Sequence, residues 1–466
     1  MSKLERQPLV GKYKPYPEYK DSRVEWLGVI PTHWSLHALK RTVSDCRNGI
    51  WGDEPNEDDD LIVLRVADFD RNKLTVSDGK LTYRSISEKE RKTRLLKKGD
   101  LLIEKSGGGE KTLVGCVVIF DKDYSAVTSN FVAKMSPRKT YCSNFLRYAF
   151  SHLYAGRVNY PSIKQTTGIQ NLDSDSYLME HFCFPDSSEQ QTIAAFLDYE
   201  TARIDRLITQ QQRLIELLKE KRQAVISHAV TKGLNPNAPM KDSGVEWLGQ
   251  VPEHWGIRAI NQATKKITNG YVGPTRDILV DNGVPYIQAT HIKNGRVNFD
   301  DGYFVTKSWS NKKHKSILMA GDVLIVQTGA GTGDIGLVTE FEQGYNCHAL
   351  IILQPMGEVI DGSYLSLILR SAYGQSVLYS IRTGGMHPHL NCSEVKFVKI
   401  PVPSLEEQRA IYDFVLKIND VYSRLMDVTT KQIALMQERR TALISAAVTG
   451  KIDLRGWTPQ GADLHG

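Results

Sequence analysis

The chain has 466 residues, of which 41% are hydrophobic, and a formal net charge of +6. That length is more than one hydrophobic core needs and suits two domains, and the absence of any apolar run near the ~18 residues of a membrane helix predicts a soluble protein. The charge leans toward a polyanionic partner without requiring one.

The N-terminus (MSKLERQPLVGKYK) has no apolar signal core, which points to the cytoplasm. The six cysteines (Cys46, Cys116, Cys142, Cys183, Cys347, Cys392) form no C-x-x-C pair, so neither a zinc site nor a disulfide framework is expected.

The stretch Lys20 to Trp34 (KDSRVEWLGVIPTHW) returns as Lys241 to Trp255 (KDSGVEWLGQVPEHW) with 11 of 15 positions identical. Solenoid units run to roughly 20–50 residues, and this period is far longer, so each copy is expected to fold as a domain. In chain order, Lys98-Gly99-Asp100-Leu101-Leu102-Ile103 is answered by Ala320-Gly321-Asp322-Val323-Leu324-Ile325, and Ser106-Gly107-Gly108-Gly109 by Thr328-Gly329-Ala330-Gly331. Pro185 to Leu197 (PDSSEQQTIAAFL) is answered by Pro403 to Val415 (PSLEEQRAIYDFV). Arg222 to Thr231 (RQAVISHAVT) is answered by Arg440 to Thr449 (RTALISAAVT), with seven of ten positions identical.

Each copy opens with the Trp/Pro-rich segment and continues in short β-like runs. These are Leu61 to Val66, Leu101 to Glu104 and Val114 to Phe120 in the first, and Tyr286 to Gln288, Val323 to Gln327 and Ile335 to Val338 in the second. Basic clusters precede the Gly-Asp strand in both, Arg91-Lys92-Thr93-Arg94 with Lys97-Lys98, and Lys312-Lys313-His314-Lys315.

Each copy closes with a stretch free of Pro and Gly in which apolar residues recur at helical spacing, Ile193, Phe196, Leu197, Ile204, Leu207 and Leu214 in one and Ile411, Val415, Val421, Leu425, Val428 and Leu435 in the other. Helices of about 40 residues would each span roughly 60 Å at 1.5 Å per residue. Their stripes suit a two-helix coiled coil, interrupted at Gln211, Lys221, Gln432 and Arg439. The expected fold class is α+β, with two similar mixed α/β domains separated by two long antiparallel coiled-coil helices under pseudo-twofold symmetry. The linear plan is a tail over 1–19, a domain over 20–187, a helix over 188–232, a linker over 233–241, a second domain over 242–403, a second helix over 404–450 and a tail over 451–466.

Taken in order and used twice, these motifs resemble the specificity (S) subunit of Type I restriction-modification enzymes. They are Val-Glu-Trp-Leu-Gly-x-x-Pro-x-His-Trp, Gly-Asp-(Leu/Val)-Leu-Ile, Pro-x-x-x-Glu-Gln-x-x-Ile and Arg-x-Ala-x-Ile-Ser-x-Ala-Val-Thr, and the likeness runs from about Lys20 to Thr449. It implies two target recognition domains that each read half of a split double-stranded DNA site, and helices that set the spacing and hold two modification (methyltransferase) subunits. Restriction/translocase subunits would join that core, S-adenosylmethionine would be bound by the partners and no cofactor by this chain, and the setting would be the prokaryotic cytoplasm. The copies diverge between their landmarks, as reading two different half-sites would require.

Base or backbone contact calls for loop residues with fork, amide or hydroxyl chemistry. The pool in the first copy is Asn48, Trp51, Arg65, Lys105, Ser106, Lys164, Gln165 and Thr167. In the second copy it is Asn269, Tyr271, Arg276, Gln288, Thr290, Gln327, Thr328, Arg382, His387 and His389. Trp26, Trp34, Trp247 and Trp255 lie in the most alike segment and are assigned to core packing or helix docking, and Asn48-Gly49 and Asn269-Gly270 to turns. The small-residue helix ends (Ala224, Ile226, Ser227, Val230; Ala442, Ile444, Ser445, Val448) suit either partner docking or packing on their own globule.

No catalytic constellation stands out. The Asn/Asp-Pro-Pro-Tyr/Phe tetrapeptide of methyltransferases is absent, and Ser106 to Thr112 lacks the Gly that precedes Lys in a phosphate loop. Gly329 to Gly333 has no acidic sequel, and His387-Pro388-His389 has no third metal ligand. A DNA-binding scaffold without a methyltransferase, or a nuclease with an unrecognised site, are the alternatives.

Overall fold

A computed structural model describes residues 13–56, 60–108, 112–166, 168–384 and 388–458. The chain folds as two compact units, one of residues 1–210 with 432–466 and one of residues 211–431.

The first unit is built on a six-stranded sheet in the order Val43–Asn48, Val132–Pro137, Leu101–Glu104, Val117–Ile119, Thr75–Val76, Phe69–Asp70. The second repeats it with Thr264–Asn269, Leu350–Pro355, Val323–Val326, Ile335–Leu337, Gly295–Val297 and Ile292–Lys293. In both, the Gly-Asp motif leads into a central strand whose four residues are all buried, which is why its sequence is a continuous apolar run and not an alternating one. The helix Ser143–Ala155 covers the first sheet with Phe145, Leu146 and Phe150, and Gly362–Arg370 covers the second with Tyr364, Leu365 and Ile368.

The Asp of the motif closes the turn before the strand. Asp100 Oδ2 accepts from the Lys97 N–H at 2.8 Å and Asp322 Oδ2 from the Met319 N–H at 2.8 Å. Burial pushes the Asp322 carboxyl up to about 6. A carboxyl raised in the folded state contributes its stability below the unfolded pKa and loses it as pH climbs through the folded one. Asp322→Asn keeps an acceptor for Met319, so it is expected to gain on the wild type as pH rises from about 4 to about 7, by at most about 3 kcal/mol. Urea unfolding across that range should show a widening difference, and a constant one would refute the assignment.

The repeated His-Trp pair holds a long helix at its first turn. Trp34 and Trp255 are each 0% exposed. Trp34 Nε1 donates to Glu189 Oε1 at 3.2 Å and His33 Nε2 lies 2.9 Å from Glu189 Oε2; Trp255 Nε1 donates to Glu407 Oε2 at 3.0 Å, with His254 Nε2 at 2.9 Å. The next residue, Gln190 or Gln408, ties the helix to the sheet-covering helix, since Gln190 Oε1 accepts from the Cys142 N–H at 2.9 Å and Gln408 Oε1 from the Asp361 N–H at 2.8 Å. These contacts explain the twice-used Glu-Gln pair. The helices, Ser187–Lys232 and Leu405–Val448, start where Asp186 Oδ1 accepts from the Glu189 N–H at 2.9 Å and Ser404 Oγ from the Glu407 N–H at 3.2 Å.

Each unit also receives the end of the other repeat's helix. In the first unit Leu443, Ile444, Ala447 and Val448 join the core around Trp34, while in the second Ala229 and Val230 join the core around Trp255. Gly450 ends the second helix with φ 68° and lies so close to Pro31 that an added Cβ would sit 2.4 Å from its Cδ; Gly233 ends the first helix with φ 78° against Trp255. The linear plan of domain, helix, domain, helix is therefore not the spatial division.

Three expectations are corrected. Trp26 and Trp247, 39% and 52% exposed, are not core residues, because they occupy the outer side of the Asp21–Leu27 and Asp242–Leu248 turns; Trp26 lies flat on Phe182 at 6.2 Å. The apolar stripes are buried at Ile193, Phe196, Leu197, Ile204, Ile411 and Val415 and half-buried at Ile208, Leu218, Val225 and Ile418, but Leu207, Leu214, Val421, Leu425, Val428 and Leu435, expected in the seam, are exposed. The described parts of the expected tails are packed, with Tyr16, Ile452 and Leu454 in the first unit's core and Trp457 edge-on to Phe196 at 5.4 Å.

Candidate nucleic-acid interface

In each unit three strand ends meet at one edge of the six-stranded sheet. In the first, Asn48 pairs opposite Ala133 and Glu104 opposite Val132. The Gly49 N–H then donates to Val132 O at 3.0 Å and the Lys105 N–H to Phe131 O at 2.8 Å. Asn48-Gly49 is thus no free turn: the strand runs on, and a Cβ on Gly49 would lie 2.0 Å from Thr128 O. The second unit matches it, with Asn269 opposite Ile351, Val326 opposite Leu350 and the Gly270 N–H donating to Leu350 O at 2.8 Å.

Beyond this edge the central strand of the first unit continues into a small sheet. Ser106 pairs with Asn171 and Gly107 with Gln170, and the Ile163–Thr166 and Ile169–Leu172 strands form the hairpin. Lys105, Ser106, Lys164 and Gln165 are therefore brought together. Ser106 Oγ donates to Asn171 Oδ1 at 2.6 Å, Lys164 Nζ is 3.0 Å from Asp173 Oδ2, and Gln165 is exposed. Thr167 lies outside the described residues, as does His387.

The second unit reproduces the arrangement with different side chains. Thr328 bridges to His389, and Gln327 Nε2 lies 3.3 Å from His389 Nε2. Arg382 donates to Thr332 O and stacks on Tyr379 at 5.1 Å, while Thr332 Oγ1 ties the Gly329–Gly333 loop to Pro388 O at 3.1 Å.

The basic clusters sit beside the same edge. Arg94, last residue of the helix Glu88–Arg94, donates from Nε to Asn48 O at 3.3 Å. Lys313 lies 5.2 Å over the Tyr271 ring, which also meets Trp309 edge-on at 5.0 Å. Trp51 carries Arg84 at 4.6 Å over its ring.

Other members of the pool lie apart. Arg65 is spent on Asp68 in the same turn, at 2.9 Å. Asn269 Oδ1 accepts from Cys392 Sγ at 2.9 Å and faces inward. Gln288 precedes the turn Ala289–His291 and Thr290 lies within it, and Arg276 is exposed in a separate loop. Sequence reasoning missed Asn171, Arg84 and Trp309 as neighbours of the pool; Asn171 was recoverable from the two-residue alternation of a hairpin opposite Ser106.

Of the helix-end candidates, Val230, Ile444 and Val448 are buried and offer no surface to a partner. The helical repeat turns those positions into the cores. Ile226 and Ser227 are half-buried, Ser227 Oγ accepting from the Ala372 N–H at 3.1 Å, and Ser445 is also half-buried, which leaves Ala224 and Ala442 exposed. Ala442 and Ser445 line a groove of about 700 Å³ with His152, Gln437 and Thr441 in the first unit.

Residues 54–217 and 252–434 match the family model described as the Type I restriction modification DNA specificity domain. The chain belongs to that family. This specificity chain is 23% identical over 454 residues to the putative Type I restriction enzyme MjaX specificity subunit of Methanocaldococcus jannaschii, covering 94% of this chain and 98% of that one. It is 23% identical over 298 residues to the MjaVIII specificity subunit of the same organism, covering 62% of this chain and 66% of that one, and 20% identical over 450 residues to the Escherichia coli EcoKI specificity subunit, covering 94% and 93%. Its fold is that of a chain from a structure of Type I restriction-modification complex assembly (TM-score 0.69, 14% identity, 91% and 99% covered). The HsdS subunit of Thermoanaerobacter tengcongensis is also similar (TM-score 0.56, 15% identity, 91% and 98% covered).

Among the described residues of this specificity chain no group of three or more His, Cys, Asp and Glu side chains is placed to hold a metal, and no helix is long and apolar enough to cross a membrane.

Proposed function

We propose that this chain reads DNA for a Type I restriction-modification complex, each unit contacting one half of a split site through the sheet edge and hairpin described above. The observation that carries the reading is that both units present the same backbone edge, flanked by a basic segment, with different side chains on it. Ser106, Lys164, Gln165 and Asn171 stand in one, and Thr328, Gln327, His389 and Arg382 in the other. A common frame fixes how each unit meets the duplex, and unlike polar side chains give unlike base preferences. The long helices set the half-site spacing, and their exposed ends at Ala224 and Ala442 dock two methyltransferase subunits, which bring S-adenosylmethionine; a restriction subunit joins for cleavage. The chain itself supplies recognition and no chemistry.

Mapping N6-methyladenine across the source genome, with and without the gene, tests this. Loss of one motif of two short halves around an unread spacer is expected, and an unchanged methylome would overturn the reading. At finer grain, Gln165→Ala should relax one position of one half-site at a cost of about 1–3 kcal/mol, whereas Lys164→Ala should weaken all sequences alike. Equal loss on every duplex for Gln165→Ala would remove it from base reading.

A further inference from the structure

The second unit holds a groove of about 1090 Å³ between the long helices and the Lys293–Asn298 segment, into which Arg222, Lys293, Arg296 and Arg370 converge. None of these four has an ion-pair or hydrogen-bond partner among the described residues. The two acids on its wall are engaged elsewhere: Glu342 Oε2 accepts from the Thr339 N–H at 2.8 Å and its Oγ1 at 2.6 Å, and Asp420 Oδ1 accepts from Arg424 Nε at 3.0 Å. Arg370 rests on the backbone of Gly295, its guanidinium pKa lowered by burial and by the neighbouring Arg296 and Arg222.

The first unit shows the same place with two of its arginines held in ion pairs. Its corresponding groove is lined by the cations Lys73, Arg147, Arg206 and Arg440 and the acids Asp198 and Asp205. There Arg440 Nε pairs with Asp205 Oδ1 at 3.1 Å, and Arg147 with Asp198. The offset that carries Glu189 to Glu407 and Arg222 to Arg440 carries Asp205 to Ser423 and Asp198 to Leu416. The second unit has therefore kept the arginine and lost the two acids that pair in the first, so leaving its arginines unpaired is not a requirement of the fold. Lys293 and Arg370 also line an adjoining recess with Gln375, and Gln375 Nε2 donates to Gly333 O at 3.1 Å, in the loop beside Thr328 and His389. The positive groove thus leads to that unit's reading edge.

We propose that this groove seats the phosphate backbone of duplex DNA next to the half-site that the second unit reads, with Arg222, Lys293, Arg296 and Arg370 as phosphate ligands. The assignment rests on the DNA-reading function proposed above. Guanidinium forks match phosphate oxygens, and such contacts bind every sequence alike while fixing the register of the base-reading side chains.

The test uses the full chain and a fluorescent duplex of random sequence, titrated at a series of KCl concentrations. The logarithm of affinity falls with the logarithm of salt by about 0.9 per phosphate neutralised. Arg296→Gln with Arg370→Gln is expected to flatten that slope by about 2, and Ser423→Asp, which restores the first unit's acid and removes no cation, by about 1. Circular dichroism of each variant checks that it is folded. An unchanged slope in folded variants overturns the groove assignment. So does an unchanged slope together with lost association to the methyltransferase, which would make the groove a protein seat. If the wild-type chain shows no salt-dependent DNA binding, the DNA-reading function itself falls.

Discussion

A chain truncated after Arg440 is expected to lose the first unit while the second stays folded. The cut lies more than 200 residues from the first repeat, yet it removes Leu443, Ile444, Val448, Ile452 and Leu454, all at most 4% exposed in the core around Trp34. Burying each such side chain is worth about 1.5–3 kcal/mol, and the five together come to roughly 10 kcal/mol, comparable to the whole stability of a domain at about 5–15 kcal/mol. The cut also removes Gly450 from Pro31 and the Lys451 ammonium from Val29 O. Hydrogen exchange or limited proteolysis followed by mass spectrometry should find residues 13–210 unprotected and residues 211–431 protected. Retained protection of the first sheet would show that the helix end is dispensable and would sink the account of how that core is closed.

Replacing Trp255 by Ala is expected to destabilise the second unit by about 3–5 kcal/mol, the range for truncating a large buried aromatic. The substitution leaves a void where the end of the first helix meets the start of the second, since Trp255 touches both Gly233 and Glu407. It also strips Glu407 of one of its two side-chain donors, leaving His254 at 2.9 Å. Trp255→Phe keeps most of the volume and loses the Nε1 hydrogen bond, so it should cost about 1–3 kcal/mol, the penalty of an unmet buried acceptor. Urea unfolding followed by hydrogen exchange of residues 211–431 measures both. Equal effects of the two variants would mean that the hydrogen bond to Glu407, and not the filled volume, carries the joint.

The duplication, the class of the fold, the two long helices and the family were all legible in the amino-acid order, because each rests on patterns that repeat locally: a central strand's unbroken apolar run, a helix's stripe, and landmarks at constant spacing. Even the Glu-Gln pair could be recognised as a signal without its partners being known. The sequence also put Ser106, Lys164 and Gln165 into one pool, since they share loop positions and polar chemistry. It could not say that strand pairing sets Ser106 opposite Asn171, that Arg65 is consumed by Asp68, or that Asn269 turns inward to Cys392. Register and side-chain direction are settled by contacts between segments far apart in the chain.

The same reason governs the largest differences. Trp26 and Trp34 stand in one repeated motif and look equivalent in one dimension, but only Trp34 points at Glu189 and the arriving helix end, while Trp26 stays on the outside of a turn. Likewise Arg222 and Arg440 are twins by sequence. Whether each is paired depends on the residue one helix away, Ser423 for the first and Asp205 for the second. The sequence by itself determined which segments fold, how often they recur and to which family they belong, because those follow from periodicity and order along the chain. Only the tertiary structure decided which charges are neutralised, which apolar residues are covered and which repeat's helix completes which core, because burial and pairing are properties of neighbours in space.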